Sequence, residues 1–386
     1  MPNMPNMPNR PFLTKQQVAK VDALEKAYTT QDGSYNFACS GIYPPHAVAL
    51  DKLALYYQKP SDTRTRGSIK SVTFPLTAET AKDIYNAGEP SPFGRGSELV
   101  YDQTYRQAHE LKPPHFALTN DLLSASGLLA LLAKKLDYEV PLEGRINKLN
   151  AYTEGGFFKT HKDTPQSQDH IGTLMICLPS PFSGGALVIR QNGSSITFDW
   201  GKQTEDGSFA WGFLYSDCEH EILPVTSGTR ITIAYDIFLG KNGNDFKQST
   251  FDTRLIPIMK AFKEILKPEF LPSGGSLAFG LTHGYPMSYG TQEAGLTARL
   301  KTSDAVLMAA INKLYLRWDY FGVYDYDRDV YNDDDDDTAA KVDLKAKKND
   351  TTYRDDIWIA DDFFAFEGEY VGDSEGPELE RDLDLI

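Results

Sequence analysis

The chain has 386 residues, 41% of them hydrophobic and 24% charged, an ordinary globular composition with length enough for a large core. No apolar run reaches the about 18 residues of a membrane-spanning helix, so no membrane association is expected. The net charge of −15 is unevenly spread: residues 319–386 carry 23 acidic against 7 basic side chains, a balance of −16, and the body is nearly neutral. A protein that binds nucleic acid needs a basic footprint, and none is found.

In chain order, Met-Pro-Asn is repeated three times from Met1 to Asn9. Proline at every third position blocks both helix and sheet hydrogen bonding, so residues 1–13 are expected to be a disordered leader and not a secretory signal. Thr14 and Gln17 form a capping-box pattern ahead of Val18, Val21 and Leu24, which predicts a helix over 14–30. Short β-like runs follow at 53–57 and 69–74. A second helix is predicted over 77–87, ending at Gly88. A third, over 124–136, is strongly apolar through Leu128, Leu129, Leu131 and Leu132, so it is expected to be buried across a sheet.

From 145 to 240 the texture changes to short strands at 146–152, 173–178, 186–190, 195–198, 209–215 and 230–238. Their spacing of about 8–12 residues points to an antiparallel sandwich, barrel or jelly roll. Beyond Gly240, helices are predicted at 255–266 and 303–318, with a strand at 275–281 where Leu277, Phe279 and Leu281 alternate. Residues 325–350 hold the acidic run from Asp333 to Asp337 and read as a flexible loop, and 351–386 as an acidic C-terminal segment rich in aromatics. Cys39, Cys177 and Cys218 are odd in number and scattered, which argues for a reducing, intracellular compartment, cytoplasmic or nuclear.

The chemistry centres on His161-Lys162-Asp163. Residues i and i+2 of a strand share a face, so an imidazole and a carboxylate can reach one metal ion together. The pair alone is a weak signal. Its context is more specific: a strand ending in Tyr152, then Gly155-Gly156, then the pair, then His220 57 residues beyond Asp163, then Arg230 at the head of another strand. Two histidines and one carboxylate with open positions are the ligand set of non-haem iron(II) oxygenases. A buried guanidinium supplies the fork that a dicarboxylate requires. His46, His109, His115, His170 and His283 have no partner at ligand spacing and read as structural or exposed.

Residues 145–240 resemble the prolyl 4-hydroxylase-like branch of the 2-oxoglutarate- and iron(II)-dependent dioxygenases, including large fungal-type members. The likeness lies in the segments from Lys148 to Asp163, from Ser183 to Ile189 and from His220 to Arg230. It implies an α+β fold whose core is a double-stranded β-helix, or jelly roll, flanked by helices over 14–144 and followed by an α/β extension over 241–324. It implies that His161, Asp163 and His220 are the iron ligands and catalytic centre. Arg230 would bind the distal carboxylate of 2-oxoglutarate, with Tyr152 and Thr232 in the cosubstrate pocket. Some relatives carry a tyrosine on the strand after His-x-Asp. That strand has none here, and the role is expected either to pass to Thr173 or to be absent. Fe(II), 2-oxoglutarate and O2 are the implied cofactors, with ascorbate a further candidate. Hydroxylation of a prolyl residue, an amino acid or a small metabolite is the expected reaction, with succinate and CO2 released. Two rival readings are a cupin-type dioxygenase without 2-oxoglutarate and a non-catalytic barrel that binds protein.

Overall fold

The computed structural model describes residues 14–29, 37–43, 52–62, 68–95, 98–136, 138, 140–240, 255–270, 277–285, 296–297 and 299–318. The leader, the acidic loop and the C-terminal segment expected from the sequence lie outside them. The helices are α1 (Lys15–Thr29), α2 (Ala78–Ala87), α3 (Leu122–Ser126), α4 (Leu128–Leu136), α5 (Leu255–Ile265) and α6 (Thr302–Lys313). None is long and apolar enough to cross a membrane.

Two antiparallel sheets face each other and form the jelly roll. The larger contains β1 (Ala38–Tyr43), β4 (Glu89–Pro90), β8 (His109–Leu111), β10 (Leu142–Thr153), β12 (His170–Cys177), β13 (Phe182–Gly184), β16 (Phe209–Tyr215) and β18 (Val225–Leu239). Its strand order is β1-β16-β12-β18-β10-β8-β4, with β13 paired to the start of β18. The smaller contains β7 (Arg106–Gln107), β11 (Phe157–His161), β14 (Leu187–Gln191), β15 (Ser194–Phe198) and β17 (Glu219–Ile222), ordered β15-β14-β17-β11-β7. Two small sheets lie outside the barrel. One is β2 (Ala54–Tyr57), β3 (Lys70–Thr73) and β9 (Phe116–Leu118), and the other is β5 (Phe93–Arg95) with β6 (Glu98–Val100).

The long strand β18 shows why the sequence folds this way. Ile231, Ile233, Tyr235 and Ile237 belong to the apolar core, whereas Arg230, Thr232, Ala234 and Asp236 line a cavity. Both faces are covered, so the strand reads as a nearly continuous buried run and not as an alternation of wet and dry. α2 packs against β18 and β10 through Ala81 and Ile84, both fully buried. Truncating Ile84 to alanine would cost about 2–5 kcal/mol. Thr77 caps α2 through a reciprocal pair with Thr80. Gly88 ends it in extended rather than left-handed backbone, because the chain passes straight into β4.

Two expectations need correction. The leucine-rich stretch forms two helices, broken at Gly127, whose φ of +64° caps α3. α4 does pack on β10, burying Leu128, Leu132, Ala133 and Leu136, while Leu131 on its outer side stays 39% exposed. The described part of the expected strand, 277–281, makes no ladder. Leu277 and Phe279 instead pack against a second apolar cluster built by α1, α5 and α6, where alternation found no neighbouring strand to pair with. Leu24, Tyr28, Ile258, Phe262, Leu307 and Ala310 are at its centre.

A buried polar network ties this cluster to the barrel. Asp217, in the turn before β17, accepts from Lys301 Nζ at 2.7 Å and lies 3.0 Å from His283 Nδ1. Burial works to raise the Asp217 carboxyl, but His283 and Lys301 outweigh it and hold it well below its ordinary value.

Candidate functional site

Between the two sheets lies a cavity of about 210 Å³. The smaller sheet supplies one wall and the larger sheet the other.

On the smaller sheet, β11 and β17 are antiparallel neighbours with His161 directly opposite His220. Asp163 follows β11 by two residues. Ligand atoms of His161, Asp163 and His220 all fall within 4.8 Å of one another. The three residues that the sequence spreads over 60 positions therefore meet. The imidazole rings stand 4.1 Å apart between centroids, and His220 Nε2 is 3.8 Å from an Asp163 oxygen. Each histidine spends its other nitrogen on the backbone: His161 Nδ1 lies 2.8 Å from the Lys159 carbonyl, and His220 Nδ1 3.2 Å from the Cys218 carbonyl. A carbonyl only accepts, so both Nδ1 atoms carry the proton and both Nε2 lone pairs are left for a metal.

Electrostatics favour the same state. Burial, then the neighbouring His220, hold the His161 imidazole well below its ordinary pKa, so it is neutral as a ligand must be. Burial works to raise Asp163, but the two imidazoles and the Thr173 hydroxyl together hold it below the ordinary carboxylate range. Phe158 stacks on His161 at 3.6 Å, and the Arg106 guanidinium lies 4.4 Å over the Phe158 ring. The ring of His161 is thus fixed by packing as well as by its hydrogen bond.

The turn into β11 depends on the glycine pair. Gly155 has φ +79°, and a Cβ on Gly156 would stand 2.8 Å from the Thr153 carbonyl and 2.9 Å from that of Gln107. No other residue allows so close a passage between β10 and β7.

On the larger sheet, Tyr152 of β10 pairs directly with Arg230 of β18. Arg230 is 1% exposed and borders the cavity, yet among the described residues neither of its Nη atoms has a hydrogen-bond partner. Its guanidinium lies 5.6 Å from the Tyr152 ring and 5.3 Å from that of Trp200. Trp200 is a contributor that sequence reasoning missed, since nothing in its local pattern connects it to Arg230. Gly185, at φ +66°, sits so close that a Cβ there would meet Arg230 Cδ at 2.8 Å. Thr232, two residues on and 1% exposed, faces the same cavity. An unpaired buried guanidinium is costly, and the chemistry of this arrangement suits an anion.

Thr173 is placed differently from expectation. Its hydroxyl donates to Asp163 Oδ2 at 2.6 Å, and its cross-strand partner is Asp236. Six residues along β18 separate Asp236 from Arg230, about 20 Å at ~3.3 Å per residue. Thr173 therefore orients the carboxylate of the triad and lies too far away to share the Arg230 end. The β12 residue beside that end is Cys177, opposite Thr232. Burial raises its thiol to about 12, against a smaller opposing effect of Arg230, so it offers a neutral S–H.

The donor set of two imidazoles and one carboxylate with free coordination positions suits a ferrous ion, and the orphaned Nη atoms suit a dicarboxylate. Residues 147–236, which carry all of these groups, match the family model described as the 2OG-Fe(II) oxygenase superfamily. Solved structures give weaker likenesses. A prolyl-4-hydroxylase of Pseudomonas putida is 15% identical with a TM-score of 0.30, the match covering 57% of this chain and 99% of that one. A prolyl hydroxylase of Trichoplax adhaerens, in complex with a hypoxia inducible factor peptide fragment, is 14% identical with a TM-score of 0.32, covering 58% and 90%. An oxidoreductase of the 2OG-Fe(II) oxygenase family from Burkholderia pseudomallei is 16% identical with a TM-score of 0.29, covering 44% and 82%. No curated protein matches the chain significantly in sequence.

Proposed function

We infer, from the membership of residues 147–236 in the 2OG-Fe(II) oxygenase superfamily, that this 2-oxoglutarate-dependent oxygenase hydroxylates a C–H bond of a prolyl residue, an amino acid or a small metabolite. The observation that carries the assignment of residues is the facing pair of features in one cavity: three converging ligand atoms, and a buried guanidinium with two unpartnered nitrogens. His161, Asp163 and His220 would hold Fe(II). With 2-oxoglutarate and O2 bound, that ion supplies the oxidant, and succinate and CO2 are the coproducts. Ascorbate is an additional cofactor in this reading, checked by its effect on the number of turnovers.

The protein's own part is binding and exclusion. Arg230 presents both Nη atoms to the distal carboxylate of 2-oxoglutarate, with its guanidinium 5.6 Å from the Tyr152 ring and 5.3 Å from that of Trp200. Thr232 adds a hydroxyl near the same carboxylate. Thr173 fixes the Asp163 carboxylate by its 2.6 Å hydrogen bond, leaving the other oxygen for the metal. Phe158, Met175, Ile222 and Ala234 make the intervening wall apolar and limit access of water. A cupin-type enzyme without 2-oxoglutarate has no use for a buried carboxylate clamp, and neither has a barrel kept only for protein binding.

The test is spectroscopic. Anaerobic addition of Fe(II) and 2-oxoglutarate should give a visible metal-to-ligand charge-transfer band, lost in His161→Ala. A wild-type protein that shows no band and releases no succinate would defeat the assignment.

A further inference from the structure

The cavity is charged at both ends. Along β18 its inward residues run Arg230, Thr232, Ala234, Asp236, so a cationic pole and an anionic pole stand at opposite ends of one strand. Asp236 is 7% exposed and borders the cavity. Its carboxylate accepts from the Asn147 amide at 2.9 and 3.0 Å and from the Gln166 amide at 2.6 Å. Asn147 owes its inward aim to an irregularity in register between Ile146 and Lys148, the kind of bulge that re-aims a side chain beside a site.

The other neighbours of Asp236 are neutral or engaged elsewhere. His170 Nε2 is 3.9 Å away. This ring accepts the Gln166 backbone N–H on Nδ1 and gives its Nε2 proton to the Gly172 carbonyl, and burial lowers its pKa. Lys148 turns its ammonium to Glu110 at 3.0 Å. Arg145, the cross-strand partner of Asp236, lies over the Phe238 ring and pairs with Glu143 at 3.5 Å. Among the described residues, Asp236 has no lysine or arginine in ion-pair contact. Burying a carboxylate among neutral donors costs free energy that a fixed cation would offset, and the described residues supply none.

We propose that Asp236, held by Asn147 and Gln166, recognises a cationic group of the substrate, an ammonium or a guanidinium, at the end of the cavity opposite Arg230. This rests on the reading of the cavity as the shared site of cosubstrate and substrate. Thr173 is the cross-strand neighbour of Asp236 and donates to Asp163, so a cation seated here holds its carbon chain beside the metal ligands. Asp236 also repels the carboxylates of 2-oxoglutarate, which keeps the two ligands from exchanging ends.

Calorimetric titration of the full chain, anaerobic with Fe(II) and 2-oxoglutarate, tests this. The probes are N-acetylated amides of L-lysine and L-arginine and short end-capped peptides containing either residue, set against the same molecules with norleucine or citrulline, so that no α-ammonium remains in the controls. A charge-assisted hydrogen bond predicts roughly ten- to hundredfold tighter binding of the cationic member of each pair. The single blocked residues and the peptides tell which source the site takes. Asp236→Asn should remove the preference. Gln166→Lys, at an exposed position that tolerates substitution, should also remove it by placing an internal ammonium on Asp236. Equal binding within each pair, no binding of any cationic probe, or a preference that survives both variants overturns the proposal. The charge-transfer band in the same samples separates the two readings. A band without charge preference sinks only the cation site, and a preference without a band sinks only the cosubstrate assignment.

Discussion

Replacing Arg230 by methionine separates binding from folding at one buried position. In the unliganded protein the two Nη atoms lack partners, and each buried unsatisfied donor costs about 1–3 kcal/mol. The contacts with Tyr152 and Trp200 return about 0.5–2 kcal/mol each. The two effects nearly cancel. Methionine fills similar space without charge, so Arg230→Met should change unliganded stability by less than about 2 kcal/mol. Ligand-linked stability should change far more. Two charge-assisted hydrogen bonds of about 1.5–3 kcal/mol each correspond to a roughly 10²- to 10⁴-fold loss of 2-oxoglutarate affinity. At a concentration of one hundred times Kd, the wild type should gain about 2.7 kcal/mol from the cosubstrate and the variant almost nothing. Urea unfolding of both proteins, metal-loaded and anaerobic, with and without 2-oxoglutarate, gives all four numbers. A variant several kcal/mol less stable without ligand would show that Arg230 is a structural ion and not a receptor. Equal stabilisation of both proteins by 2-oxoglutarate would do the same.

Further outcomes follow from individual contacts. Gly185→Ala forces a side chain into left-handed backbone at about 1–2 kcal/mol and presses on Arg230 Cδ, so stability and 2-oxoglutarate affinity should fall together, read by unfolding and by the charge-transfer titration. Thr173→Val removes the hydrogen bond to Asp163, and metal affinity should drop roughly 10- to 100-fold while 2-oxoglutarate still requires Arg230. Asp217→Asn leaves Lys301, 2% exposed, without its counter-ion and should cost about 3–5 kcal/mol in unfolding experiments. Because the folded Asp217 carboxyl titrates below its unfolded value, its contribution is complete above about pH 4 and is lost as pH falls towards the folded pKa. The variant should therefore show a flatter stability profile in that acid window.

Local pattern carried much of this protein. The strand periodicity from 145 to 240, the capping signal at Thr14, and the order of Tyr152, the glycine pair, His-x-Asp, histidine and arginine are all short-range or linear features. Thr14 and Gln17 do exchange their capping hydrogen bonds. Tertiary structure decided what depends on register and on neighbours distant in sequence. Alternation at Leu277 and Phe279 looked like a strand but found only helices to pack on, since a ladder needs a partner that local sequence does not name. Thr173 looked interchangeable with the missing tyrosine. The pairing of β12 with β18 set it opposite Asp236 and put Cys177 opposite Thr232, and a slip of four residues along a strand is a change of about 13 Å in reach. Trp200 beside Arg230 and Asn147 beside Asp236 arise the same way, because a cavity is defined by which side chains two sheets turn towards each other.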